Sequence, residues 1–128
     1  MATDQDKSEI LIFEDNQTLK SLLETFFRKT GYRVTAAEDA MDSVELARRH
    51  EPRLIVMDML MPGKDGVRAC TELREAGVTA PIVMLTSKAL PEDRDRALAA
   101  GASEYLLKPL DTVRLRAMLE RHLEPKRA

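Results

Sequence analysis

Short apolar runs alternate along this chain with longer stretches in which apolar residues recur at helical spacing. The mostly apolar runs predict five strands, at residues 9–13, 32–36, 54–58, 81–85 and 103–107. The helical spacing predicts five helices, at about residues 17–29, 39–50, 67–76, 91–100 and 111–122. This alternation favours a doubly wound α/β fold, in which a parallel sheet carries helices on both faces.

The first helix shows the helical pattern most clearly. Its large apolar residues follow the spacing i, i+3, i+4, i+7, i+8 and predict one buried stripe, made of Leu19, Leu22, Leu23, Phe26 and Phe27. The corresponding inward positions of the third and fifth helices are Val67, Cys70, Leu73, Leu115, Met118 and Leu119. Asp39 and Asp111 are the candidate caps of the second and fifth helices.

Length and composition indicate one soluble domain. We expect residues 1–8 to form a disordered leader, residues 9–123 the domain and residues 124–128 a polar tail. The chain is 44% hydrophobic and 33% charged, and its 20 basic and 22 acidic residues are well mixed, which gives no electrostatic footprint for nucleic acid or an anionic membrane. The chain has one cysteine, no signal peptide and no apolar run long enough to span a bilayer, so we expect a cytoplasmic protein.

Polar residues follow four of the five predicted strands directly. Glu14 and Asp15 follow the first strand, Asp58 ends the third, Thr86 follows the fourth and Lys108 follows the fifth. In open α/β sheets, ligands bind beyond the carboxyl ends of the strands. If these strands are neighbours, three carboxylates, a hydroxyl and an ammonium converge at one edge of the sheet.

Three adjacent carboxylates would repel each other strongly where the local dielectric is low. A hard divalent cation removes that repulsion, and Mg²⁺ fits best because it binds one or two carboxylates and retains several waters. Neither a histidine nor a second cysteine lies nearby in the sequence to favour zinc. The chain also lacks a glycine-rich phosphate loop, which argues against nucleotide binding.

These polar residues have the order and spacing of a known family. The chain resembles the receiver domain of bacterial two-component response regulators, of the single-domain type, through Glu14-Asp15, Asp58, Met61-Pro62, Asp65-Gly66, Thr86 and Lys108-Pro109. The resemblance covers nearly the whole chain. It implies a flavodoxin-like fold with five parallel strands in the order 2-1-3-4-5.

The resemblance also implies a role for each residue of this set. Asp58 would be the phosphoacceptor, a nucleophile that takes a phosphoryl group from a histidine kinase or a histidine phosphotransfer protein. Asp15 would bind Mg²⁺ directly and Glu14 through water, and the backbone carbonyl of Leu60 would be a further ligand. Lys108 would pair with a phosphoryl oxygen and neutralise charge that develops during transfer.

The remaining implied roles concern the response to phosphorylation. Thr86 would hydrogen-bond the phosphoryl group, and Tyr105 would rotate inward as Thr86 moves. The bond between Lys108 and Pro109 would be cis. The domain would then be a switch rather than an enzyme with turnover, and would present the fourth helix, fifth strand and fifth helix to a downstream protein or, as a weak dimer, to a second copy.

Two features set expectations beyond the family pattern. Glu14 stands where aspartate is commoner, and its longer side chain should still reach a metal-bound water. The positions that set phosphoryl lifetime in the family correspond to Leu60 and Lys88, and neither offers an amide or carboxylate to orient an attacking water. We therefore expect slow autodephosphorylation.

Three alternatives remain open at the level of sequence. A phosphatase of the haloacid-dehalogenase type would need an acid two residues after the nucleophile, and this chain has Leu60 there. A degenerate receiver would act as an interaction module without taking phosphate, which the intact acids and lysine disfavour. A flavin-binding module is disfavoured by the acidic first loop.

His50 and His122 lie near helix C-termini, where the helix dipole favours a cation, and neither resembles a phosphodonor or a metal ligand.

Overall fold

A computed structural model describes residues 7–87 and 90–123 of the chain. The described residues form five strands and five helices that alternate along the sequence. The elements are β1 (Ile10–Phe13), α1 (Gln17–Lys29), β2 (Val34–Ala37), α2 (Ser43–His50), β3 (Leu54–Asp58), α3 (Gly66–Glu75), β4 (Ile82–Thr86), α4 (Pro91–Ala99), β5 (Glu104–Leu107) and α5 (Thr112–His122). None of these helices is both long enough and apolar enough to cross a membrane.

The strands form one parallel sheet in the order β2-β1-β3-β4-β5, which confirms the flavodoxin-like fold. The three central strands, β1, β3 and β4, are buried along their whole length, whereas the edge strands β2 and β5 are mostly half-buried. Burial on both faces explains why the central strands are continuous apolar runs rather than alternating ones.

Alternate residues of the central strands supply two separate cores. On one face, Ile12 and Val56 pack with Phe27 of α1 and Leu115 of α5. On the other face, Met57 of β3 packs with residues of three helices. These residues are Ala47 of α2, Cys70 and Leu73 of α3, and Ala97 of α4. Buried apolar surface on both faces of the sheet therefore fixes where the strand ends lie.

Two sequence expectations about helices are corrected by the structure. Leu22 of α1 was expected in the buried stripe but is 41% exposed, so the buried face of that helix consists chiefly of Leu23, Phe26 and Phe27. The second helix begins at Ser43 rather than near Asp39. The Asp39 carboxylate instead accepts a hydrogen bond from the Met41 amide two residues later, a local contact that competes with helix formation.

The structure also differs from the sequence prediction at Ser8. Ser8 was assigned to a disordered leader, but it is buried and hydrogen-bonded to the rest of the fold. Residues 1–8 are mostly polar, which suggests a disordered segment. The partners of Ser8 are distant in sequence, so no local pattern predicts these contacts. Residues 1–6 of the expected leader, the expected tail at 124–128, and Lys88 lie outside the described residues.

Gly66, at the start of α3, lies directly beneath the end of β3. A Cβ atom at this position would lie 2.4 Å from the carbonyl oxygen of Asp58 and 2.9 Å from the Cα of Met59. The Gly66 amide donates a hydrogen bond to the Met59 carbonyl at 2.8 Å. The helix therefore supports the backbone that carries Asp58, and only a residue without a side chain allows this approach.

We predict that Gly66→Ala destabilises the protein by about 1–3 kcal/mol, the usual cost of inserting an atom into a packed site. The sign of the change in the free energy of unfolding is informative, because replacing glycine by alanine within a helix ordinarily stabilises a protein by up to about 1 kcal/mol. Urea unfolding followed by circular dichroism measures the change. An increase in the free energy of unfolding would contradict the close approach of α3 to β3.

Candidate functional site

The carboxyl ends of four strands bring together the polar residues singled out in the sequence. Glu14 and Asp15 follow β1, Asp58 is the last residue of β3, Thr86 is the last residue of β4 and Lys108 follows β5. The sheet order makes β1, β3, β4 and β5 consecutive neighbours. Parallel pairing places these strand ends at one edge of the sheet.

Lys108 lies between the two buried carboxylates of this edge. Its Nζ is 2.9 Å from Oε1 of Glu14 and 3.3 Å from Oδ2 of Asp58. Glu14 is fully buried and Asp58 is only 4% exposed. One ammonium therefore neutralises part of the charge of two carboxylates that water barely reaches. The peptide bond between Lys108 and Pro109 is cis.

Backbone amides hold the other oxygen of each carboxylate. Oε2 of Glu14 accepts a hydrogen bond from the Asn16 amide at 3.1 Å, and Oδ1 of Asp58 accepts one from the Leu60 amide at 3.3 Å. Asn16 is itself the cap of α1, since its side chain accepts from the Leu19 amide at 2.9 Å. The start of α1 and the loop after β3 thus orient the two acids.

Burial and the neighbouring acid change the protonation of this pair. Burial, the largest cause, and the nearby carboxyl of Glu14 together raise the pKa of Asp58 to about 7, although Lys108 and the Leu60 amide act to lower it. Burial by itself would lower the pKa of Lys108, but contacts with Glu14 and Asp58 outweigh burial and raise that pKa. The site therefore carries more negative charge than its single lysine can offset.

The arrangement fits a hard divalent cation. One oxygen from each of Glu14, Asp15 and Asp58 lies within 4.8 Å of the others. Oε1 of Glu14 is buried, and its contact with the Lys108 ammonium at 2.9 Å leaves it a further lone pair for a cation or its water. Asp15 is exposed and can receive an ion from solvent. An all-oxygen donor set with an open side suits Mg²⁺.

Thr86 and Tyr105 occupy different surroundings. Thr86 is buried, and it lines a cleft of about 120 Å³ together with Met59 and Leu60, which follow Asp58. Tyr105 is partly buried on β5, packs beside one of the two cores and lines a groove with Leu90 and Arg114. The two residues lie on adjacent strands, where Met84, two residues before Thr86, pairs in register with Tyr105.

Two features of the site were missed by the reasoning from sequence. The resemblance gave Glu14 a role only through water, whereas the structure pairs it directly with Lys108. The loop after Asp58 is anchored by Lys64, which forms an ion pair with Glu72 of α3. No sequence signal indicates this pair, because Lys64 precedes α3 and lies eight residues from Glu72, beyond the i+3 and i+4 spacings at which helical side chains meet.

A family model described as the response regulator receiver domain matches residues 10–120. Among solved structures, the receiver domain of sensor histidine kinase PA1611 from Pseudomonas aeruginosa PAO1 is 39% identical. The alignment covers 91% of this chain and 97% of that one with a TM-score of 0.81, and that structure has a magnesium ion coordinated in its active site cleft.

Two further solved structures show the same fold. The BeF3-activated N-terminal receiver domain of RstA from Klebsiella pneumoniae is 32% identical, with 88% of this chain and 96% of that one covered and a TM-score of 0.82. The chemotaxis protein CheY4 of Vibrio cholerae is 26% identical, with 91% and 99% covered and a TM-score of 0.85. All three resemble the chain over almost its whole described length.

We predict that Asp58→Asn raises the free energy of unfolding in Mg²⁺-free buffer at pH 8, because it removes one of two buried charges that share Lys108. Adding Mg²⁺ should stabilise the natural protein more than the variant. A saturating concentration, 100 times the dissociation constant, corresponds to about 2.7 kcal/mol. Urea unfolding with and without Mg²⁺ measures both effects.

Asp65→Asn is the matched control for this experiment. Asp65 is exposed and caps α3 by accepting from the Arg68 amide at 2.8 Å, a role that asparagine also fills. The control should respond to Mg²⁺ as the natural protein does. Equal stabilisation of the Asp58→Asn variant by Mg²⁺ would show that the ion does not bind at the acidic cluster.

Proposed function

Because this chain belongs to the response regulator receiver family, we propose that it accepts a phosphoryl group on Asp58 and acts as a phosphorylation-dependent switch. The phosphodonor is a histidine kinase or a histidine phosphotransfer protein. The observation that carries the proposal is the pair of contacts from Lys108 to Glu14 and Asp58 at the edge of the sheet. A carboxylate confined beside an ammonium and two further acids has the surroundings of an activated nucleophile.

The transfer step follows from the chemistry of these groups. A carboxylate oxygen of Asp58 attacks the phosphorus of a phosphohistidine, the phosphorus–nitrogen bond breaks, and the imidazole leaves and takes up a proton. Lys108 pairs with an oxygen of the transferring group and offsets charge on the product. Asp15, Asp58 and Glu14 would hold Mg²⁺, which would supply further positive charge to offset the charge of the transferring phosphoryl group.

The remaining contribution of the protein is to position the carboxylate of Asp58. The Leu60 amide, which donates to Asp58 at 3.3 Å, holds the carboxylate in a fixed orientation. Gly66 and α3 hold the backbone beneath it. The Leu60 carbonyl is a further candidate ligand for the ion. The protein then contributes geometry and electrostatic stabilisation rather than a second acid or base.

The switch step uses Thr86 and Tyr105. Thr86 is buried on the wall of the cleft that follows Asp58, so its hydroxyl can donate to a phosphoryl oxygen. Movement of Thr86 changes the packing beside Tyr105, which lines the groove between α4 and α5. The surface of α4, β5 and α5 would thereby report phosphorylation to a downstream protein or to a second copy.

Incubation with acetyl phosphate and Mg²⁺ should add one phosphoryl group, detected as a single mass increment by intact mass spectrometry. Asp58→Asn should reduce labelling to background, because an amide oxygen is a poor nucleophile. Asp65→Asn, which removes a carboxylate from the same loop and retains the helix cap, should be labelled as the natural protein is. Undiminished labelling of the Asp58→Asn variant would exclude Asp58 as the acceptor.

The labelled protein also separates this function from its alternatives. No phosphorylation of the natural protein by any donor, despite Mg²⁺ binding, would favour a degenerate receiver. Repeated release of phosphate would favour a phosphatase. Leu60 and Lys88 carry neither an amide nor a carboxylate side chain to orient a water for hydrolysis, so the phosphoryl group should persist for minutes or longer after donor removal rather than for seconds.

A further inference from the structure

His50, the last residue of α2, is buried at the amino end of the sheet, where the chain enters β1. Its Nδ1 accepts a hydrogen bond from the backbone amide of Ser8 at 2.9 Å. A ring nitrogen can accept a hydrogen bond only when it carries no proton. His50 is therefore neutral in this structure, with its hydrogen on Nε2.

The other contacts of Lys7 and Ser8 are more exposed to solvent than the bond to His50. The Arg33 side chain donates to the Lys7 carbonyl at 2.8 Å, and the Ser8 hydroxyl contacts the Thr35 hydroxyl. Lys7 forms an ion pair with Glu51 at 3.0 Å, and Glu51 is largely exposed, so this pair contributes little. The bond to His50 is the most buried of these contacts of Lys7 and Ser8.

The groups around His50 oppose its protonation. Burial lowers its pKa, and the adjacent Arg49 lowers it further, which outweighs the attraction of a helix C-terminus for a cation. The charged residues that line the cleft beside it are Lys7, Glu9, Arg33, Glu51 and Arg53.

The acid of this cleft nearest the sheet is already paired. Glu9 contacts Arg33 at 3.5 Å and Arg53 at 3.4 Å, so its charge is offset by two guanidiniums. Glu51 pairs with Lys7. Protonation of His50 would thus add a positive charge beside a cleft in which the basic groups outnumber the acidic ones.

We propose that the Ser8 amide and the His50 ring form a pH-sensitive latch, which holds Lys7 and Ser8 on the sheet at neutral pH and releases them when His50 is protonated. Protonation puts a hydrogen on Nδ1, where it faces the hydrogen of the Ser8 amide. The contact changes from attractive to repulsive, and the ring must turn or Ser8 must leave. The segment from Glu9 onward stays in the sheet, because its backbone pairs with Arg33 and Arg53.

The direction of the pH dependence follows from linkage. The released histidine titrates near its ordinary pKa of about 6.5, whereas the latched histidine has a lowered pKa. As the pH falls through 6.5, the released state gains protons first, and the latch weakens. Between the two pKa values, the ratio of latched to released molecules falls by up to about tenfold for each pH unit.

Nuclear magnetic resonance of ¹⁵N-labelled protein between pH 7.5 and 5 tests the latch. The imidazole nitrogen shifts of His50 report its protonation, and the hydrogen-exchange protection factor of the Ser8 amide reports the latch. We expect Ser8 protection to fall in step with the titration of His50, by up to about tenfold for each pH unit below 6.5. Protection that stays constant while His50 titrates would overturn the proposal, as would titration of His50 at or above its ordinary pKa.

Two variants separate the latch from general stability. His50→Asn puts an amide oxygen near the place of Nδ1, and this acceptor does not titrate, so Ser8 protection should become independent of pH. Ser8→Ala loses the hydroxyl contact with Thr35 and keeps the amide, so its pH response should persist. A pH response that survives in His50→Asn, or disappears in Ser8→Ala, would contradict the role assigned to His50. The acidic cluster lies at the opposite edge of the sheet, so neither result depends on phosphorylation.

Discussion

The burial of Glu14 beside Asp58, with one lysine between them, is the constraint on which this structure depends. Two carboxylates that water barely reaches repel each other, and Lys108 offsets only part of their charge. The raised pKa of Asp58 expresses the same imbalance. Such a cluster lowers the stability of the fold, and groups with strongly shifted pKa values are concentrated at functional sites.

The rest of the fold serves to keep that cluster in place. Buried apolar side chains on both faces of the sheet fix the ends of β1, β3 and β4 relative to each other. Gly66 lets α3 approach the backbone of Asp58, and the Leu60 amide orients its carboxylate. Hydrophobic packing thus sets the distances between the charged groups of the site, although the apolar side chains take no part in its chemistry.

The strand ends could be predicted from sequence because each central strand is a continuous apolar run that stops at a polar residue. Two of the sequence predictions, the burial of Leu22 and a start of α2 near Asp39, are wrong for local reasons. Leu22 matches the apolar period but lies at the margin of the buried face, and Asp39 accepts a hydrogen bond from the Met41 amide in the loop that precedes α2. The contact between Ser8 and His50 joins residues 42 positions apart, and no pattern in the sequence points to it. The direct pairing of Glu14 with Lys108 likewise depends on side-chain geometry.

The most direct test of the central claim is a Mg²⁺ titration by isothermal calorimetry of the natural protein and of Asp15→Asn. Asp15 is exposed and lies in the cluster, so its replacement should leave the fold intact while it removes a charged ligand. We predict one Mg²⁺ per chain for the natural protein and affinity weakened at least tenfold in the variant. Equal affinity for Mg²⁺ in the two proteins, or no binding by the natural one, would contradict it.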